Sequence, residues 1–400
     1  MKSKKTATKK GAKVPQVKGD PVGMSPEERL LHAIFGDPDQ VLAEDCCEAG
    51  DDCYYGRNGQ KQSYSEAAKL YRRAAEKGYA KAQAKLGMLY LNGQGVKQSD
   101  EIGMEWICKA VKQGDSLGQS LMGFCYEHGR GVKESEKKAV KWYRKSAEQG
   151  DPDGQYRLGE CYFNGCGVEG SDEEAAKWYL KAAEKGHPKA QLHLGVSLSV
   201  EGDKKSQKEA FGWFKKSAEQ GDCVAEWNLG MCYLYGEGVK KCEAEAVKWY
   251  QKSIEHGNKD SLVSLAWCYL NGLGVKKSYK KAAGLYREAA EVGDVLAQEK
   301  MGDFYMEGTG VEKSEKEAVK WYLKAAAPEH KSSGMSARMK LGDCYLKGLG
   351  VKKSVKEALK WYREIETWSR KLVELGLPTE MERLAAVEKK IAAAEKLIGK

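Results

Sequence analysis

Apolar positions recur along this chain with a period of about 36 residues. A Leu-Gly pair opens the most regular segment, which reads LGECYFNGCGV from Leu158 and returns later as LGMCYLYGEGV and LGDCYLKGLGV. Successive copies of this glycine are 36, 36, 36, 35, 36, 36 and 40 residues apart. They are Gly87, Gly123, Gly159, Gly195, Gly230, Ala266 (an alanine in the same place), Gly302 and Gly342. A period between about 20 and 50 residues is typical of stacked repeat architectures.

Each period contains two segments with helical spacing. In the first, small and aromatic residues from Ala318 to Ala326 recur at i, i+3, i+4, i+7 and i+8, which predicts an amphipathic helix, named helix A here. Ser314 and Glu317 form an S-x-x-E capping box, in which each side chain accepts a hydrogen bond from the other residue's backbone N–H. A serine fills the first position in eight of nine repeats, including Ser206 in the fifth, and a glutamate fills the second in six.

The second segment of each period, named helix B here, carries the Leu-Gly-x-x-Tyr pattern. Helix A ends at a glycine such as Gly150, and an aspartate such as Asp151 follows directly to cap helix B. A turn this short forces the two helices to be antiparallel. A glycine inside a helix costs about 1 kcal/mol relative to alanine, so the repeated Leu-Gly glycine predicts a close approach by the Trp or Tyr of a helix A.

The distribution of charge and of apolar residues predicts where in the cell the protein is found. Of the formal charge of +9, the first 20 residues carry +6, from seven lysines and one aspartate. No run of 18 apolar residues occurs, and no apolar segment follows the N-terminal lysines. These features predict a cytoplasmic protein without a transmembrane segment or signal peptide.

The twelve cysteines follow the repeat, with five of them at one equivalent position. Equivalent positions in stacked helices lie about 8–10 Å apart or more, too far for a disulfide. We therefore expect small buried thiols in a reducing compartment. The five are Cys125, Cys161, Cys232, Cys268 and Cys344.

The combination A-x-K-W-Y-x-K-A-A-E-x-G followed by A-Q-x-x-L-G-x-x-Y-x-x-G-x-G-V resembles the Sel-one-like repeat (SLR) family, a relative of the tetratricopeptide repeat. The resemblance covers residues 61–365. It implies an all-α fold, a right-handed superhelical solenoid of antiparallel helix pairs with a concave inner face. Similar proteins are adaptors and scaffolds, so it also implies a protein or peptide partner.

The repeat boundaries divide the chain into four predicted parts. We expect a disordered Lys-rich tail over 1–24, a degenerate N-terminal capping hairpin over 25–60 with helices over 26–35 and 38–55, an array of about eight repeats plus a final helix A over 61–365, and a C-terminal helical cap over 366–400.

Two repeats deviate from the pattern. In the fourth, SVEGDKKS replaces the G-x-G-V turn and Leu198 replaces the tyrosine, and in the eighth the turn between the helices grows to Ala327–Gly334. Such loops are candidate sites of partner-specific contact, with neutral drift as the alternative.

Two rows of cations on helix A are the candidate partner-binding residues, because residues four apart share a helix face. They could bind an acidic partner surface. Alternatively, Glu148, Glu184, Glu219 and Glu255, three residues beyond the second row, neutralise them locally. The first basic row is Lys69, Lys141, Lys177, Lys248, Lys320 and Lys360, and the second basic row is Arg73, Lys109, Lys145, Lys181, Lys216, Lys252 and Lys324.

The Trp-Tyr pairs of helix A admit two interpretations. Single-strand nucleic-acid binders interleave aromatic and basic residues. Because these aromatics share a stripe with the alanines, core packing is the favoured interpretation.

No residue pattern indicates catalysis, a cofactor or a metal. His187 and His193 lack the i, i+4 spacing of a helical metal pair, and no strand precedes the Gly-x-Gly turns as a nucleotide motif needs. The sequence therefore predicts a non-enzymatic scaffold that binds a partner protein on its concave face. The alternatives are a nucleic-acid-associated protein tethered by its Lys-rich tail and a bacterial effector acting in a host cell.

Overall fold

The computed structural model describes residues 38–330, 333–377 and 380–398. Within these ranges there are nineteen α-helices, one short 3-10 helix at Pro328–His330, and no β-strand. The all-α fold predicted from the sequence is confirmed. The predictions of a tail over 1–24 and of a first helix over 26–35 fall outside the described residues.

The helices alternate between the two predicted types. Helices A are α2 (Tyr64–Glu76), α4 (Asp100–Lys112), α6 (Glu136–Glu148), α8 (Asp172–Glu184), α10 (Lys204–Glu219), α12 (Glu243–Glu255), α14 (Tyr279–Glu291), α16 (Glu315–Ala325) and α18 (Val355–Glu374). Helices B are α1 (Pro38–Tyr55), α3 (Ala80–Asn92), α5 (Ser116–His128), α7 (Pro152–Asn164), α9 (Pro188–Glu201), α11 (Cys223–Tyr235), α13 (Asp260–Asn271), α15 (Val295–Glu307) and α17 (Met335–Lys347), and α19 (Glu380–Ile398) follows the last helix A.

Helix A begins at the predicted serine in most repeats, but only half of the expected capping box forms. The Ser314 hydroxyl accepts a hydrogen bond from the Glu317 N–H at 3.3 Å. The Ser314 N–H donates to the carbonyl of Tyr305 in the preceding helix B, at 2.8 Å, and not to the glutamate. The reciprocal side-chain bond predicted from the sequence is therefore wrong here, because the preceding turn already supplies an acceptor.

The fifth helix A departs further from the predicted helix start. Helix α10 begins one turn before the expected position, and Ser206 lies inside it. Asp203 is the N-cap, and its carboxylate accepts hydrogen bonds from the N–H groups of Lys205 and Ser206 at 2.8 and 3.1 Å. The shorter connection after α9 brings Asp203 into the capping position, where aspartate is as favourable as serine.

The Leu-Gly glycine of helix B contacts the helix A of the next repeat. A Cβ atom on Gly123 would lie 2.5 Å from Tyr143 Cδ1, and one on Gly159 would lie 2.8 Å from the Tyr179 ring. The predicted close approach is confirmed. The approaching side chain is the residue after the tryptophan position, usually tyrosine, and not the tryptophan itself.

The chain divides into two compact units at a boundary inside α7. The first unit contains the described residues up to Arg157 together with Gly165–Glu169. In it, buried residues of α1, α2 and α3 form one apolar cluster, and buried residues of α3, α4 and α5 form the next.

The second unit contains Leu158–Asn164 and the described residues from Gly170 onward. Its core is also a series of local clusters, for example the one around Tyr250 and Leu265. At its C-terminal end, α17, α18 and α19 share the cluster that buries Tyr362 and Val387.

Candidate functional site

The first basic row lies on the exposed face of helix A and is largely paired with glutamates one turn earlier. The Nζ atoms of Lys69 and Lys320 lie 2.7 and 2.6 Å from carboxylate oxygens of Glu66 and Glu317. Lys177 and Lys248 form the same i, i+3 pair with their capping-position glutamates, at 3.1 and 2.6 Å. Lys141 has Lys138 at that position, and the Nζ atom of Lys360 lies 6.0 Å from the centroid of the Trp361 ring. Most of this row is therefore neutralised locally.

The second basic row has a different environment, because its lysines lie over the tryptophans of their own helices. Each ammonium is above the indole three residues earlier, at a distance typical of a cation–π contact. The distances from Nζ to the ring centroid are 3.7 Å for Lys109, 4.3 Å for Lys145, 3.9 Å for Lys181, 4.1 Å for Lys216, 4.9 Å for Lys252 and 4.0 Å for Lys324.

A lysine follows three residues after the tryptophan in six of the seven helices A that have one at this position, and Glu364 follows Trp361 in the seventh. Where leucine replaces tryptophan, at Leu285, the residue three positions later is Glu288. Arg73 follows Leu70 and is the one member of the second basic row without an indole beside it.

The predicted neutralisation of the second basic row by later glutamates is wrong. None of Glu148, Glu184, Glu219 and Glu255 forms an ion pair with it in the described part of the chain, and Glu219 pairs instead with Lys215 at 3.9 Å. One member, Lys252, has a carboxylate partner, the buried Glu226 at 3.1 Å. Across residues 38–330, the other five lysines over indoles form no ion pair.

The interpretation of the aromatics as core residues is confirmed. Tyr143 and Tyr250 are fully buried, while Trp178 and Trp321 are 8% and 9% exposed. Trp106, Trp142, Trp213 and Trp249 are half-buried, and lysines of the second basic row lie over their indole faces. The tryptophans therefore both pack the helix and hold the second basic row in place.

Sequence reasoning missed a recurring polar set between repeats. In α15, Asp303 accepts a hydrogen bond from the Tyr322 hydroxyl of α16 at 2.8 Å, and it also pairs with Lys340 of α17 at 2.6 Å. Burial and this carboxylate raise the pKa of Tyr322 well above its usual value. Corresponding sets are Asp51, Tyr71 and Lys85; Glu160, Tyr179 and His193; and Asp343, Tyr362 and Lys390.

A comparison of equivalent positions in neighbouring repeats could have revealed these sets. Ile107 and Leu121 lie 36 positions after Tyr71 and Lys85, and Met88 follows Gly87 as Asp51 follows Gly50, so the next repeat has apolar residues at all three places. The acid, the tyrosine and the cation of one repeat are thus all replaced by apolar residues in the next repeat. Each set couples three successive helices and has no free group for chemistry.

The described residues contain no grouping of three His, Cys, Asp or Glu side chains placed to hold a metal ion. The described cysteines form no disulfide, and the five that share a position are buried, as predicted. The described helices include no apolar segment of the length that a bilayer crossing requires.

The Sel1 repeat family profile matches nine segments of the chain. Each match begins with a helix B and ends with the helix A of the next hairpin. The matched residues are 43–79, 80–115, 116–151, 152–187, 188–222, 223–258, 260–294, 295–327 and 336–364.

Solved structures with the same repeat are similar to this chain. A Sel1 repeat protein from Oxalobacter formigenes is 27% identical, with 80% of this chain and 89% of that chain covered and a TM-score of 0.54. A protective antigen with an SLR fold from uropathogenic Escherichia coli is 28% identical over 93% of this chain and 95% of its own, with a TM-score of 0.36. No functionally curated protein matches the chain.

Proposed function

Because the chain belongs to the Sel1 repeat family, we propose that it is a non-enzymatic scaffold that binds an acidic segment of a partner protein along helix A. Repeats of this family generally mediate contacts between proteins, and its members are generally non-catalytic scaffolds. The proposed binding surface is the second basic row, on the concave face predicted for the array.

The observation that carries this proposal is the set of lysines held over indoles without carboxylate partners. Lys109, Lys145, Lys181, Lys216 and Lys324 have this arrangement. A cation–π contact is worth about 0.5–1 kcal/mol at an exposed site, so the ammonium is positioned before a ligand arrives. A partner carboxylate then meets an oriented, uncompensated charge, which supports specific and salt-sensitive binding.

Two variants with the same change in net charge test the proposal. The second-row variant replaces Lys109, Lys181, Lys216 and Lys324 by Gln. The first-row variant replaces Lys69, Lys177, Lys248 and Lys320 by Gln. The probe is a fluorescein-labelled peptide in which glutamate alternates with serine, and its binding is followed by fluorescence anisotropy at low and physiological salt.

We expect the second-row variant to bind this peptide at least about tenfold more weakly than the parent chain. The first-row variant should lose less than about threefold, because its lysines are already paired with glutamates. Equal losses in the two variants would mean that net charge alone attracts the peptide, and the proposal would then fail.

A second candidate rests on the +6 charge of the first 20 residues, which favours nucleic-acid binding through phosphate contacts. It predicts retention on a DNA column that disappears when residues 1–20 are removed. Retention that survives this removal excludes the tail as the tether.

A further inference from the structure

The fourth repeat lacks a contact that closes the corresponding place in other repeats. After helix B, the second glycine of G-x-G-V lies against the first turn of the helix A in the same repeat. A Cβ on Gly131 would lie 3.0 Å from the carbonyl oxygen of Asp100 at the start of α4. In the fourth repeat, α9 continues to Glu201, and only Gly202 and Asp203 precede α10. No loop glycine therefore covers the first turn of α8.

The uncovered turn opens into an apolar groove of about 360 Å3. Its walls are Phe163 from the end of α7, Ala176 from α8, and Val196 and Val200 from α9, with Asp172 at the rim. Phe163, Val196 and Val200 are 57%, 43% and 82% exposed. Single exposed apolar residues are common on protein surfaces and need no explanation. Here three large apolar side chains are exposed around one cavity, and such a cluster is typical of an interaction site.

The equivalent place in the seventh repeat shows that this apolar surface is specific to the fourth. There the loop Gly308–Gly310 is present, and the positions of His193, Val196 and Val200 are occupied by Lys300, Asp303 and Glu307. At the Val200 position, other repeats also have polar residues, among them Asn92, Asn164 and Asn271. The fold therefore does not need a valine here.

We propose that this groove is an anchoring site for a partner-protein segment that presents one bulky apolar side chain beside a lysine or arginine. The volume lies at the low end of the range of ligand pockets, about 300–1,000 Å3, which suits one anchoring side chain. Asp172 is exposed at the rim and forms no ion pair within the described residues of the second unit. Its carboxylate complements a cation next to that side chain.

This inference is independent of the proposed acidic-segment binding, because it uses different side chains and the opposite ligand charge. The probes are four short peptides of the form Gly-Ser-X-Z-Ser-Gly, in which X is Phe or Ala and Z is Lys or Gln. Binding is measured with the full chain by NMR of labelled valine and leucine methyl groups. Leu194 also lines the groove. We expect saturable shifts of the Leu194, Val196 and Val200 methyl signals with the Phe-Lys peptide.

Two variants make the test specific. Phe163→Glu with Val200→Asn introduces residues that the chain uses at the same positions of other repeats, Glu127 and Asn92, so the fold should be retained. Affinity for the Phe-Lys peptide should fall at least about tenfold. The control Val224→Asp alters a valine with the same 43% exposure as Val196 but outside the groove, and affinity should change less than about twofold.

Asp172→Asn tests the charge. It should weaken the Phe-Lys peptide about threefold and leave the Phe-Gln peptide unchanged. The proposal is overturned if no peptide shifts these methyl signals, or if the Ala-Lys peptide is as effective as Phe-Lys. It is also overturned if the groove signals change on removal of residues 1–37 or on dilution of the chain alone, because the occupant would then be the chain's own N-terminal segment or a second copy.

Discussion

At the scale of single residues, the direction in which a side chain points decides which interactions form. Side chains of a helix lean towards its N-terminus. Lys320 therefore reaches back to Glu317, and Lys324 reaches back to Trp321. The sequence offered lysines of the second basic row two partners at equal spacing, tryptophan before and glutamate after. Spacing alone could not decide between these two partners. The direction of the side chain decides it, because the lysine points back towards the tryptophan.

The polar set of Asp51, Tyr71 and Lys85 allows a direct comparison within one chain. Lys85 is only 12% exposed, so Asp51→Ala leaves a largely buried ammonium without its carboxylate. We expect a loss of about 1–3 kcal/mol in the free energy of unfolding by urea. The triple variant Asp51→Met, Tyr71→Ile, Lys85→Leu copies the next repeat and should lie within about 1 kcal/mol of the parent. A triple variant less stable than Asp51→Ala would contradict this account.

The buried thiols give a prediction on reactivity. Burial raises the pKa of Cys125 and Cys232 to about 12, and that of Cys268 and Cys344 to about 11. Because the thiolate is the reactive form, these cysteines should resist iodoacetamide at pH 8 in the folded chain. The half-buried Cys166 and Cys242 are the internal controls and should be labelled first. Mass spectrometry of timed digests measures the order in which the cysteines are labelled. Early labelling of Cys232 would contradict its burial in the core.

The same thiols predict a loss of stability in alkali. Their ordinary pKa is 9.0, and the folded values are about 11 to 12. The unfolded chain therefore releases these protons first, so the stabilisation is complete below pH 9 and is lost as the pH rises towards 12. Urea unfolding of the parent and of Cys232→Ala at pH 8 and 10.5 tests the sign. Between pH 8 and 10.5 the parent should lose more stability than the variant. An equal loss would mean that the Cys232 thiol does not contribute to the loss of stability in alkali.

At the scale of helices, much of the fold could be predicted from the sequence. Helix types, the glycine that admits a neighbouring ring, and the serine at the start of most helices A follow from local patterns. The start of α10 did not, because Ser206 satisfies the pattern while the shortened connection makes Asp203 the cap. The sequence marked the altered turn after α9 as a candidate contact site, but it did not predict the groove, because the groove arises from a missing contact between the turn and α8.

Substitution of two helical glycines by alanine distinguishes the effect of packing from the effect of helix propensity. Gly159→Ala places a methyl 2.8 Å from the Tyr179 ring, whose hydroxyl is bound to Glu160. We expect the free energy of unfolding to fall by about 1–3 kcal/mol. Gly284 also lies inside a helix, but a Cβ there meets no atom within 4 Å. Gly284→Ala should therefore stabilise the chain by about 0.5–1 kcal/mol. Chemical denaturation of both variants checks the two signs, and the same sign for both would refute the steric explanation.

At the scale of the whole molecule, stability is distributed over neighbouring helices and not held in one core. Each apolar cluster joins a helix B to the helix A that follows, so a defect should be felt mainly by adjacent repeats. The sequence repeats without a break through α7, and it gave no sign that the compact units divide between Arg157 and Leu158. A boundary of this kind depends on the density of tertiary contacts, which the period does not record.

The proposed C-terminal cap, α19, is the clearest place to test this local transmission. Val387 is fully buried against α18, in the cluster that contains Tyr362 and Ile365. Val387→Asp buries a carboxylate without a partner and should open this end of the second unit. Hydrogen exchange of amides in α18 and α19 should accelerate at least about tenfold, while α2 to α5 in the first unit keep their parent rates. Leu397→Asp, at a side chain that is 53% exposed, is the control and should change neither region. Acceleration of α2 to α5 in the Val387→Asp chain would mean that the molecule unfolds as one cooperative body, in conflict with a core built from local clusters.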